Sequence, residues 1–125
     1  MNEDIIFSKQ DSYILASISD VLITPERAQE ILTRISEECS KNNLDKVILD
    51  ERTVEAREVP PHEIMKLNNL MKKEGFERIH MAFWCQPHLI DDDSKKLSVY
   101  TFTKEYIVKH FSEKDKAVAW LKKQC

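Results

Sequence analysis

The sequence predicts a small α/β protein built on one mixed, mostly parallel sheet, in the order ββαβαβαβα. Three observations carry that expectation. Short β-rich runs alternate with stretches whose apolar residues recur at helical spacing. Each of those stretches opens on a helix-starting signal. Val47-Ile48-Leu49 is an unbroken apolar run between charged flanks, the signature of a parallel strand buried on both faces. With 125 residues the chain is long enough for one sizeable core and is read as a single domain over 1–125.

The elements follow in order. Residues 4–9 and 13–19 read as two strands joined by a tight corner at Gln10-Asp11-Ser12. Thr24-Pro25 then starts a helix, because threonine caps free N–H groups and proline fits a first position that needs none. Ala28, Ile31, Leu32, Ile35 and Cys39 form its apolar stripe over roughly four turns. After the strand at 47–49, residues 51–60 read as one long polar connection ending at Pro60-Pro61. A second helix follows, with Ile64, Leu67, Leu70 and Met71 as its apolar face. Gly75, the sole glycine, stands where the chain must leave that helix with positive φ, with Phe76 placed to pack back on Met71.

Ile79 to Trp84 is the next strand, broken by Gln86-Pro87. Asp91-Asp92-Asp93-Ser94 reads as the acidic start of a third helix. Val99 to Thr103 has strand propensity, yet a crossover between parallel strands favours helix here. A fifth strand at 106–111 leads to a last helix, capped by Ser112 and burying Ala117, Val118 and Leu121.

Composition narrows the function classes. Hydrophobic residues are 42% and charged residues 33%, the balance of a soluble globular chain. Net charge is −3 and the basic residues are scattered, so no concentrated basic face for nucleic acid is expected. The longest apolar run, Met81 to Cys85, falls far short of the about 20 residues a membrane span needs. Asn2, Glu3 and Asp4 are the wrong charge for a signal peptide, and three irregularly spaced cysteines suit reduced thiols, so a cytoplasmic location is expected. A single glycine, placed at a helix end, rules out glycine-rich phosphate loops, and no cofactor is expected.

Three clusters carry candidate chemistry. Asp50, Glu51 and Arg52 end a strand where open α/β sheets place their sites, and with Arg57, Glu58 and His62 nearby they could bind an anion, hold a carboxylate for acid–base work or offer exposed charge to a partner. The plain alternative is a solvated loop. Trp84, Cys85 and His88 should emerge beside them, since parallel strands deliver their carboxyl ends to one edge. Cys85 and His88 have the look of a nucleophile with its base, or of two metal ligands, but no third group supports either role, so a buried thiol and a solvated histidine are expected. The three aspartates at 91–93 are adjacent in sequence and read as a helix start rather than a metal set. His80 reads as a packed, hydrogen-bonded strand histidine rather than a catalyst, and Trp84 and Trp120 most simply as core or rim aromatics.

The ending Phe111-Ser112-Glu113 through Ala117-Val118-Ala119-Trp120-Leu121, the Leu22-Ile23-Thr24-Pro25-Glu26 lead into the first helix, and the Val47-Ile48-Leu49-Asp50 strand together resemble the SpoIIAA-like, or STAS, group. The closing segment looks like a phenylalanine–acidic–alanine–tryptophan–leucine pattern that ends many bacterial members of unknown role. The resemblance implies a SpoIIAA-like fold and a non-catalytic regulatory or protein-interaction module, monomeric or homodimeric, with a protein partner. It also implies, as an alternative, an apolar pocket for a small molecule or lipid between sheet and helices. In well-known relatives a serine or threonine at the start of the helix after the third strand is phosphorylated. Here the matching region holds no serine, and Thr53 is its one hydroxyl.

Overall fold

The computed structural model describes residues 5–89 and 107–124. Its strands and helices are β1 (Ile5–Lys9), β2 (Ile14–Ile18), β3 (Leu22–Ile23), α1 (Pro25–Asn42), β4 (Lys46–Asp50), β5 (Ala56–Arg57), α2 (Pro61–Lys73), β6 (His80–Trp84), β7 (Ile107–Phe111) and α3 (Lys114–Lys122), with a 3₁₀ turn at Phe76–Arg78. The main sheet has five strands in the order β1-β2-β4-β6-β7. β1 and β2 are antiparallel, Gln10 N–H closing the corner on Tyr13 O at 2.8 Å. All later neighbours are parallel. This is the mixed, mostly parallel sheet that the element order requires.

Alternation along the strands divides the core in two. Ile14, Ala16, Val47, Leu49 and Met81 point to the side where α1 and α2 pack. Ile48 and Ala82 point to the opposite side, where Ala117 and Leu121 of α3 cover them. Central β4 is therefore buried on both faces, which is why its sequence reads as a continuous apolar run and not as an alternation.

Local signals account for most boundaries. The Thr24 side chain accepts a hydrogen bond from Arg27 N–H at 3.3 Å, with Pro25 beside it at the helix start. α1 runs 18 residues, longer than its apolar stripe suggested, and stops where Asn43 turns left-handed at φ 56°. Asparagine tolerates that region better than most residues. Gly75 adopts φ 81°, and Phe76 beyond it is buried in the same cluster as Met71. The Ser36 hydroxyl donates to Glu74 O at 2.9 Å, tying α1 to the end of α2.

Three expectations need correction. The connection at 51–60 is not wholly irregular: β5 pairs in parallel with β3 as a separate two-stranded ladder. Its bonds are main-chain ones, such as Glu55 N–H to Val21 O and Glu58 N–H to Ile23 O, and Ala56-Arg57 carries no β-favouring side chain to announce it. Ser112 does not cap α3. Glu113 holds the cap position with no side-chain hydrogen bond, its carboxylate turned 3.7 Å from Lys116 instead. Val118 is half-buried while Ala117 and Leu121 are buried. The expected helix over 91–104 lies outside the described residues. None of the helices among the described residues is long and apolar enough to cross a membrane.

Candidate functional site

The ends of three parallel strands meet at one edge. Asp50 of β4 pairs with Trp84 of β6, and Trp84 pairs with Phe111 of β7. The ladder continues one step further, with Glu51 N–H donating to Trp84 O and Cys85 N–H to Phe111 O, both at 2.9 Å. Alternation then sorts the side chains. Asp50, Trp84 and Phe111 share the α3 side, whereas Cys85, Phe83 and His110 share the other, and Glu51 is buried beside Cys85.

The inner half of this edge is a dry electrostatic cluster centred on Arg57. Glu51 is 2% exposed and forms a hydrogen-bonded ion pair with the Arg57 guanidinium. Burial pushes the Glu51 carboxyl above its ordinary range, with Arg57 opposing the shift. The guanidinium also lies 5.5 Å from the centre of the Phe83 ring, which stacks on His110 at 4.7 Å and an interplanar angle of 17°. Burial, helped by the positive charge of Arg57, lowers the His110 imidazole to about 3. The Cys85 thiol is pushed up to about 11, first by burial and then by the Glu51 charge, with Arg57 opposing.

The outer half faces solvent. Asp50 receives Arg52 Nε and Nη2 at 2.9 and 3.0 Å, a two-pronged pair, and Arg52 N–H also reaches Asp50 Oδ1 at 3.3 Å. This clasp lays the guanidinium 3.7 Å from the centre of the Trp84 ring while 58% of the Arg52 side chain stays exposed. Lys114 Nζ sits 5.9 Å from the same ring, and Lys109 Nζ 5.7 Å from the ring of Phe111. Phe111 in turn lies 5.8 Å from Trp120.

Six of the residues singled out in the sequence thus gather at one edge: Asp50, Glu51, Arg52, Arg57, Trp84 and Cys85. Their roles divide differently from the expectation of exposed charge. Arg52 is exposed, but Glu51 is sealed in and Arg57 nearly so. Reaching the ladder end puts Glu51 under the loop, and Arg57 folds back from β5 to neutralise it. Cys85 and His88 do not pair as nucleophile and base. Cys85 is buried, while His88 is exposed with Nε2 2.9 Å from Glu55 O. Gln86 adds bonds from its side-chain amide to Arg52 O and Val54 O at 2.9 and 3.0 Å, so residues 86–88 clamp the 52–55 loop. His62 stands apart in the first turn of α2, where its ring lies 3.5 Å from Glu63. The Thr53 hydroxyl donates to Asp20 O at 2.8 Å, committing it to the backbone.

Sequence reading missed His110, Phe111, Lys109 and Lys114 as parts of this edge. Counting register across parallel neighbours from Asp50 would have found Phe111, and alternation would then have placed His110 with Phe83. His80, read as a hydrogen-bonded strand histidine, is buried, but its Nδ1 meets no hydrogen-bond partner among the described residues. Among the described residues no three His, Cys, Asp or Glu side chains converge as a metal set.

No family model and no curated protein matches this chain. Among solved structures, it is similar to an uncharacterized protein of the DUF3478 family from Shewanella loihica PV-4, described as having a SpoIIAA-like fold. The two superpose with a TM-score of 0.58 over 94% of this chain and 91% of that chain, at 16% sequence identity. At that identity the likeness speaks for the fold, and the fold of this chain is SpoIIAA-like.

Proposed function

We propose that this protein is a non-catalytic interaction module that recognises a protein partner through the outer half of the carboxyl edge of its sheet. The observation that carries the reading is the Arg52–Trp84 stack. An arginine held over a tryptophan ring, anchored by Asp50 and still 58% exposed, is pre-organised for contact. Arginine and tryptophan are also the residue types that dominate binding hot spots.

The inner half supports the same reading. A nucleophile needs an accessible, activated form, and burial pushes the Cys85 thiol away from ionisation at neutral pH. A general base needs a titratable lone pair near a substrate, and His110 is stacked on Phe83 within the field of the Arg57 charge instead. Glu51 and Arg57 neutralise one another and brace the 51–57 loop. The inner cluster thus works as a foundation that holds Arg52 and Trp84 in place.

Affinity capture with the wild type beside the Arg52→Ala variant tests the proposal. A stoichiometric protein partner retained by the wild type and lost by the folded variant is the expected result. Equal retention by both would refute the assigned surface. Saturable thermal stabilisation by a metabolite or lipid, without any protein partner, would favour a ligand-binding protein instead.

A further inference from the structure

The outer half of the edge extends beyond the loop that carries Arg52. Trp84 from β6, Phe111 from β7 and Trp120 from α3 form a continuous row of half-buried rings. Three cations border it: Arg52 and Lys114 at Trp84, and Lys109 at Phe111. Of the neighbouring carboxylates, Asp50 is engaged with Arg52 and Glu113 with Lys116, while exposed Asp115 follows Lys114 in the first turn of α3. Among the described residues neither Lys109 nor Lys114 has a carboxylate partner. Arg52 spends Nε and Nη2 on Asp50, which leaves Nη1 of its five-donor fork for another acceptor. In a chain of net charge −3, three cations with spare donors along one aromatic row are a local reversal of sign.

Resting on the recognition reading above, we infer that this row docks an acidic segment of the partner protein. Its carboxylates would meet Lys109, Lys114 and the free prong of Arg52, and its apolar side chains would cover the ring edges between them. Charge complementarity of this kind sets register and speeds encounter. The same cations fit nucleic acid less well. Three charges release few counterions, and the face of Trp84 on which a base would stack already carries Arg52 at 3.7 Å.

The test uses a short fluorescein-labelled peptide alternating Glu with Leu and Phe, read by fluorescence anisotropy at low salt. Its control carries Lys in place of Glu. The acidic peptide should bind the wild type saturably, weaken with added salt, and bind about tenfold more weakly to the Lys109→Glu/Lys114→Glu variant. Lys109 is exposed and Lys114 half-buried, and neither has an ion pair to lose among the described residues, so the urea midpoint should stay close to that of the wild type. The Lys peptide should not bind. Absence of saturable binding, equal affinity for wild type and variant, or tighter binding of an oligouridine or a phosphatidylserine vesicle would each overturn the inference. If Arg52→Ala loses the captured partner while the double lysine variant keeps it, the recognition reading stands and this extension falls. If both variants keep the partner, both readings fall.

Discussion

Replacing Arg57 by methionine should be among the most damaging single changes in this protein. The substitution keeps an unbranched apolar stem but removes the charge that faces Glu51, a carboxylate 2% exposed. Leaving one member of a buried pair uncompensated destabilises by about 3–5 kcal/mol. Against the roughly 5–15 kcal/mol that holds a domain of this kind together, that is a large share. Urea denaturation followed by circular dichroism should show the midpoint falling by about 2 M, taking a slope of about 2 kcal/mol/M. The loss should depend on pH in a definite direction. Burial raises the Glu51 carboxyl in the fold, and removing Arg57 raises it further. A raised carboxyl favours the fold below its unfolded value of about 4.3, and that contribution is lost as pH rises through the folded value. The gap between wild type and variant should therefore be widest at neutral pH and close toward pH 4. Adding Glu51→Gln should recover part of the loss, because no charge is then stranded. A loss under about 1 kcal/mol, or a gap indifferent to pH, would mean that water reaches Glu51 and the cluster is not dry.

Other expectations follow from the same geometry. In a Cys125→Ser background, with thiols pushed up to about 11 and about 12, Cys85 should react with a thiol reagent at pH 8 about a hundredfold and Cys39 about a thousandfold more slowly than after unfolding, and comparable rates would show that the buried sites open. The His110 ring protons should show no titration between pH 8 and 5 by NMR; since its folded value of about 3 lies below an unfolded value near 6.5, it stabilises fully above pH ~6.5, and stability falls as pH drops from there. A ring titrating near 6.5 would contradict its burial against Phe83 beside the Arg57 charge. Thr53→Val should lower stability by about 1 kcal/mol in urea, through the bond lost to Asp20 O, and leave partner capture unchanged. Lost capture at unchanged stability would assign the hydroxyl to recognition instead.

Much of the fold was legible because its signals are local. Thr24-Pro25 starts a helix wherever it lies, Gly75 takes the positive φ that other residues resist, and Val47-Ile48-Leu49 suits only a strand covered on both faces. The meeting of Asp50 with Trp84 also followed, since parallel strands must end together. What escaped depends on long-range placement. Nothing in Ala56-Arg57 marks a strand, because β5 exists through main-chain bonds to residues 21–23. Nothing in Glu51 marks it as buried, because a charged residue after a strand normally faces water. Only the return of Arg57, six positions on, makes its burial tolerable. Lys109 and Lys114 read as ordinary surface lysines until register sets them beside Phe111 and Trp84.

The most direct test of the central claim is a ¹H–¹⁵N NMR titration of this protein with the partner that the wild type captures. The account predicts shifts concentrated on Arg52, the Trp84 indole N–H and residues 109–116, with β1 and the exposed side of α2 unchanged. Perturbations centred on exposed Ile6 of β1 or Met65 of α2, with Arg52 and Trp84 silent, would contradict it.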